Sequence, residues 1–244
     1  VKSDGSYTYL TPDIAYHLDK LDRGFDRLVN FFGADHHSYV TRLKAAIGAL
    51  GYESDKLSVD IIQMARMIKD GEEFKLSKLS GKAVALRDLV EEAGADAVRY
   101  FFASRACDTQ MDFDLDMATK QSNENPVYYA QYAHARMCSI LRSAPSVTPQ
   151  QQYSLLTHTK ETALLKQINE FPNIIVEAAK SRAPHKVCNY IQRLAQMFHS
   201  FYADCKVLSE DAALTNERLA LVQATRITLR NALDVIGVSA PEQM

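Results

Sequence analysis

Residues 74–82 read FKLSKLSGK, which sets Lys75 and Lys78 three apart with Ser77 between them, then adds Ser80, Gly81 and Lys82. Lysines on flexible stems in a small-residue loop can follow charge as it develops on a phosphate. The same composition also makes a solvated basic turn. A second set lies in YTYLTPDIAYH (residues 7–17), where Tyr9 and Asp13 flank what reads as a strand-to-helix turn. A carboxylate there can pair with a guanidinium through two parallel hydrogen bonds, and a phenol can add a contact. Alternatively, Asp13 is a first-turn acid that favours the helix dipole, and the tyrosines are packed. In GADHHSYV (residues 33–40), Asp35, His36 and His37 stand between a strand end and a helix start, where open α/β sheets bind ligands. Adjacent histidines point in different directions and no third ligand has sensible spacing, so no metal site is expected. Lastly, Tyr129, Tyr132 and Arg136 fall at helical spacing. Such a stripe can stack on unpaired bases, or it can be core packing with a surface arginine.

These groups need elements to hold them. Thr11-Pro12-Asp13 predicts a helix start, with Thr11 as cap and Ile14, Leu18 and Leu21 on one face. LVNFF (28–32) reads as a strand, and Gly33 follows it. A helix follows with the face Val40, Leu43, Ile47 and Leu50, closed by Gly51. Residues 57–68 read as one or two further strands, Asp70-Gly71 as a tight turn, and 86–94 and 95–105 as short helices. Strand signals then vanish after about residue 114. Asn125-Pro126 opens a long helix, and helical patterns recur at roughly 159–170, 172–182, 184–208 and 216–236. Pro172 and Pro184 are placed to start helices, and Pro145 and Pro149 mark a loop. The expected fold is therefore α/β plus all-α, with a partial α/β domain over 1–113 and a helical bundle over 114–244.

Composition narrows the class. The chain has 244 residues, 47% hydrophobic and 24% charged, with a formal net charge of −2. No apolar run is long enough for a membrane span and no signal peptide is visible at the start. Cys107, Cys138, Cys188 and Cys205 lack metal-ligand spacing and are expected to be reduced thiols of a cytoplasmic protein. Residues 1–119 carry a net −5 and residues 120–244 a net +3. That asymmetry is compatible with RNA without establishing it.

Taken in order, YTYLTPDIAYH, GADHHSYVTRLKAAIGALGY, FKLSKLSGKAVALRDLVEEAGADAVRYFF, FDLDMATKQSNENPVYYAQYAHARM and APEQM resemble the C-terminal half of the bacterial-type arginyl-tRNA synthetase family. These are class I synthetases that join arginine to its tRNA using ATP. The resemblance spans essentially the whole chain. It implies the C-terminal part of a class I Rossmann-type catalytic domain followed by a helical anticodon-binding domain. FKLSKLSG stands in the place of the family's KMSKS signature, with Lys75, Ser77 and Lys78 in the matching positions and Leu76 and Leu79 departing from it. Tyr9 and Asp13 match residues that hold the substrate arginine, and His36 lies in the loop closing that pocket. DAVR (96–99) resembles the DALR signature. Tyr129, Tyr132 and Arg136 match positions facing the anticodon loop, and Tyr202, Lys206 and Met244 join them by register.

The family's HIGH signature is not among these residues, since no His-x-Gly-His occurs. The chain is accordingly expected to be a fragment that binds tRNA but does not aminoacylate alone. The resemblance implies ATP with Mg²⁺ as substrate, no tightly bound cofactor, arginine and arginine tRNA as partners, and a monomer. The rivals are a non-catalytic tRNA-binding module, a class I synthetase for another amino acid, and a helical scaffold without an RNA role.

Overall fold

The computed structural model describes residues 2–73, 85–144 and 146–244. The lysine loop with Lys75, Ser77, Lys78 and Lys82, and Pro145, lie outside the described residues. The chain divides into two compact units, residues 1–65 with 107–111, and residues 66–106 with 112–244.

The first unit holds α1 (Leu10–Asp22), β1 (Leu28–Gly33), α2 (His37–Ala49) and β2 (Leu57–Ile62). β1 and β2 pair in parallel, in register from Leu28 opposite Leu57 to Gly33 opposite Ile62. A parallel pair needs a crossover, and α2 supplies it. Leu43 and Ile47, one helical turn apart, bury themselves against Leu21, Leu28 and Leu57. The expected face extended to Val40 and Leu50; Val40 is half-buried and Leu50, just past the helix end, is exposed. Alternate strand residues Val29 and Phe31 point to solvent.

α1 corrects one expectation. It starts at Leu10 rather than after a Thr11 cap, no strand precedes it among the described residues, and Tyr9 occupies the cap position without a side-chain bond. The reason is local. Tyr9 already has helical backbone angles, and the Thr8 carbonyl accepts the Thr11 N–H at 3.1 Å. Pro12 then falls in the first turn, where its missing N–H has no intrahelical partner to lose.

From Arg66 on, the second unit holds the rest of β3 (Ala65–Lys69) and β4 (Glu72–Glu73), an antiparallel hairpin turned by Asp70-Gly71. Both turn residues have positive φ, 53° and 78°, as the hairpin's favoured twist requires. α3 (Leu86–Ala93) and α4 (Ala95–Ala103) follow, then β5 (Met111–Asp114), which pairs with β3 and which the sequence reading did not foresee. α5 (Leu115–Thr119) leads to the bundle of α6 (Pro126–Ser143), α7 (Thr159–Ser181), α8 (His185–Asp204) and α9 (Ala212–Val235). Asn125 caps α6 by accepting the Val127 N–H at 3.0 Å, and its amide donates to the carbonyls of Ala118 and Lys120. Leu164, Ile191, Leu194, Phe198, Phe201, Val222 and Leu229 are fully buried in the common core.

Pro172 was expected to start a helix; it lies inside the continuous α7 instead. The apolar stripe explains the continuity. Ile168, Phe171, Ile174 and Ile175 all pack on the bundle core, while Pro172 itself is exposed. Packing over the whole face outweighs the proline's cost of about 3 kcal/mol. Among the cysteines, Cys107 is exposed and Cys138, Cys188 and Cys205 are buried. Burial pushes the Cys188 thiol up to about 12 and also raises that of Cys205.

Gly94 separates α3 from α4 at φ 83°, ψ 149°. No atom lies within 4 Å of where a Cβ would stand, so any cost of a side chain there is backbone strain alone. Gly94→Ala is expected to destabilise the chain by about 1–3 kcal/mol in urea unfolding, with an unchanged m-value. An unchanged midpoint would contradict the strain.

Candidate functional site

In the first unit, Asp13 sits half-buried in the first turn of α1 and accepts a hydrogen bond from the Tyr39 hydroxyl. Tyr39 comes from the first turn of α2, at the C-terminal end of β1. Burial, the bond to Asp13 and the Asp13 charge together push the Tyr39 phenol up to about 12, with Arg42 opposing. The helix beneath Asp13 is itself braced. Buried His17 donates from Nδ1 to the Asp13 carbonyl at 2.7 Å, and its Nε2 accepts from the Asn30 amide at 2.7 Å. These two bonds fix the His17 tautomer and tie α1 to β1.

Two other expected residues lie close by. The Phe32 ring stands 6.1 Å from Tyr39 and 6.2 Å from His36, so Phe32 links them. His36 is exposed and lies 3.6 Å from the Asp35 carboxylate. Tyr9 shares the helix turn with Asp13, whose N–H reaches its carbonyl at 3.4 Å, but its side chain is 84% exposed. The Lys2 ammonium lies 5.5 Å from the Tyr9 ring centre. Sequence reading missed Tyr39, His17 and Asn30. A tyrosine in the first turn after GADHH is a weak signal, and its bond to Asp13 spans 26 residues. What the group can do is hold a planar cation: a carboxylate with one lone pair already committed keeps a fixed orientation for a fork of N–H donors. Among the described residues no three His, Cys, Asp or Glu side chains are grouped to hold a metal ion.

In the second unit, α6 and α8 bring four of the expected residues together. Tyr129 packs on the core and its phenol is raised by burial. Tyr132 is 37% exposed; its ring stacks on Tyr128 at 6.3 Å and on His199 at 6.0 Å. Arg136 donates to the Tyr202 hydroxyl at 3.1 Å and lies 5.0 Å over the Tyr202 ring. His199, unforeseen in the sequence, sits between Tyr129 and Tyr132 with a buried Nε2 that has no hydrogen-bond partner among the described residues. Burial, and then Arg136, hold its ring below the ordinary histidine range. The stripe is thus both core and surface: Tyr129 is packing, while Tyr132, Arg136 and Tyr202 present a ring and a guanidinium at the edge.

Lys206 and Met244 are not in that cluster. Lys206 is exposed just past α8, and its carbonyl accepts from Arg218 at 2.8 Å. Met244, 56% exposed, lines a cavity of about 790 Å³ with Tyr128, Gln131, Lys120 and the start of α4.

Comparisons with known proteins match both parts of the chain. The model of tRNA synthetases class I (R), catalytic domain, matches residues 1–138, and that of the DALR anticodon binding domain matches residues 130–244. The chain is 58% identical over 249 aligned positions to the arginine–tRNA ligase of Bacillus subtilis (strain 168), covering all of this chain and 45% of that protein. For the arginine–tRNA ligase of Bacillus cereus (strain ATCC 10987 / NRS 248) the identity is 56%, with the same coverage. The chain therefore spans less than half the length of these relatives. A putative arginyl-tRNA synthetase structure from Campylobacter jejuni superposes with a TM-score of 0.88 at 35% identity, over all of this chain and 54% of that one. Arginyl-tRNA synthetase from Thermus thermophilus gives 0.85 at 23% identity over 50% of its chain, a likeness of fold.

Two titrations test this geometry. Asp13→Asn is expected to bring Tyr39 down from about 12 towards the ordinary tyrosine range, seen as extra phenolate absorbance at pH 11. An unchanged titration would mean that Asp13 does not hold the phenol. His199 and buried His134 both have lowered values in the folded chain, chiefly through burial. Below about pH 6.5 the unfolded chain then binds more protons than the folded one, so stability falls as the pH is lowered, by at most roughly 1.4 kcal/mol per unit for each histidine. His199→Gln should flatten the fall in Tm between pH 7 and pH 5; an equal slope would contradict a neutral buried ring.

Proposed function

We propose that this chain, which belongs to the family of class I (R) tRNA synthetases, serves the ATP-dependent attachment of arginine to its tRNA. The observation that carries the reading is the Asp13 carboxylate, oriented by Tyr39 at the end of β1. Asp13 there would take the substrate guanidinium in two bonds, with Tyr9 and His36 bordering the pocket. Lysine is disfavoured as a substrate because an ammonium cannot match that planar fork.

The reaction needs no covalent enzyme intermediate. The arginine carboxylate attacks the α-phosphate of ATP, and the bond to pyrophosphate breaks, giving arginyl-adenylate. A terminal ribose hydroxyl of tRNA then attacks the activated carbonyl, and AMP leaves. The protein contributes position and charge. Asp13 and Tyr9 would hold the arginine side chain, and Lys75 and Lys78, with Ser77, would neutralise pyrophosphate as it departs. Mg²⁺ is taken as part of the ATP substrate. We assign the catalytic part to residues 1–113 and the RNA-binding bundle to 114–244, where Asp114 caps α5 by accepting the Met117 N–H at 2.9 Å. Tyr132, Arg136 and Tyr202 would meet the anticodon loop, Tyr129 would support them, and Lys206 and Met244 would border that surface. The four unpaired thiols support a cytoplasmic site of action.

The test has two parts. Tyr132→Ala should weaken binding of an arginine tRNA transcript by about 1–3 kcal/mol in filter binding at fixed salt, as loss of a stacked base does. Equal affinity for an anticodon-swapped transcript would sink specific anticodon reading. These 244 residues alone, which hold no His-x-Gly-His, should show no arginine-dependent ATP–pyrophosphate exchange even with tRNA. Exchange above background would show that they form a complete ATP site.

A further inference from the structure

Beyond α9, the segment 237–244 runs back along α6, and its polar groups are met one after another. The Ser239 N–H donates to Asp96 Oδ1 at 3.1 Å, and the Ser239 hydroxyl donates to Asp96 Oδ2. The Gln131 amide joins the same knot, donating to Asp96 Oδ2 at 2.8 Å and to the Ser239 carbonyl at 3.0 Å. His134, 1% exposed, donates from Nδ1 to the Pro241 carbonyl at 2.9 Å, and Arg142 donates to the Glu242 carbonyl at 3.2 Å. At the near end, Gly237 (φ 69°) lets the backbone pass the Arg99 side chain; a Cβ there would stand 2.9 Å from Arg99 Cδ. Asp96 and Arg99 are the first and last residues of DAVR.

We propose that Asp96 is a positioning residue for RNA binding. It clamps the segment 239–244 as a strap on α6 and so fixes where Met244 stands. Met244 forms a wall of the 790 Å³ cavity whose other wall includes Tyr128, and Tyr128 stacks on Tyr132. The strap thus sets one edge of the surface assigned above to RNA, and this step rests on that assignment. Asp96 needs no contact with RNA to matter. Both of its carboxylate oxygens are engaged within the knot, whereas Met244 is more than half exposed. Loss of Asp96 leaves the Ser239 N–H and hydroxyl without their acceptor, and water is the ready substitute, so the strap lifts while the α6–α9 core stays packed.

The chain has no tryptophan, so Met244→Trp creates a single emission reporter on the strap. Asp96→Ala in that background is expected to shift the emission to the red and to raise acrylamide quenching towards that of free indole, with an unchanged far-UV spectrum. Ser239→Ala, which removes the hydroxyl bond from the strap side without touching α4, should give an intermediate shift. Unaltered emission and quenching in both variants overturns the clamp, and Ser239→Ala decides alone if Asp96→Ala fails to fold. The second readout is affinity for an arginine tRNA transcript. Asp96→Ala should weaken it roughly tenfold in the Met244 chain and less than about twofold in a Met244→Ala background. Equal losses in the two backgrounds would show that Asp96 does not act through Met244. If the unmodified chain leaves the transcript unbound, the RNA reading fails separately, and the emission result still decides whether Asp96 holds the strap.

Discussion

Tyr100 puts a hydroxyl inside the helical bundle, where a buried polar atom without a partner costs about 1–3 kcal/mol. Its 1% exposure leaves no water to help, and the bundle answers with the Cys188 carbonyl at 3.2 Å and the Gln192 amide at 2.7 Å. Gln192 also donates to the Pro126 carbonyl at 2.8 Å, so the bonds that satisfy one phenol tie α4 to α8 and to the first residue of α6. Ala97 and Val98 bury the same helix by apolar contact. Everything that α4 positions, from the strap at its N-terminal end to the packing of Phe101 and Phe102 on Phe113, depends on that anchorage. Nine residues could not hold a helix in water unaided; tertiary packing does it.

The two candidate surfaces rest on different physics. Around Asp13 the arrangement is made of directional bonds, with His17 and Asn30 behind the helix and Tyr39 in front. Such a site gains selectivity from angle. On α6 and α8 the arrangement is made of ring faces, whose contacts depend on area more than on angle. Arg136 joins both modes, since it donates to the Tyr202 hydroxyl and also lies over its ring. Exposure therefore divides the stripe, with Tyr129 inward and Tyr132 at the edge.

Local chemistry was legible in the sequence and distant chemistry was not. Asp70-Gly71 and Asn125-Pro126 each act within a few residues, and each was read at the right place. Pro172 shows the limit of such rules, because a preference worth a few kcal/mol yields to a stripe of apolar contacts along all of α7. β5 escaped notice because MDFD, though it alternates, is only four residues long and half aspartate, which strands disfavour; its pairing with β3 makes it a strand. The Asp13 carboxylate was a visible candidate, but its orientation was not. Tyr39 lies 26 residues away, and nothing in spacing says that α1 and α2 meet there. Helical spacing singled out Tyr132 and Arg136, yet His199, which completes the stack, comes from another helix.

The cysteines give the bundle an internal clock. Cys138, Cys188 and Cys205 lie on α6, on α8 and just past its end, all shut from solvent, while Cys107 is open. A thiol-reactive dye meets Cys107 at once and must wait for the others. Where reclosing outruns labelling, the delay at each buried thiol measures how rarely its stretch of helix opens, independently of any overall melt. The raised Cys188 value means that the closed bundle offers only a protonated, unreactive sulfur, so labelling there has to wait for opening. The bundle thus carries its own stopwatch, readable one helix at a time by mass.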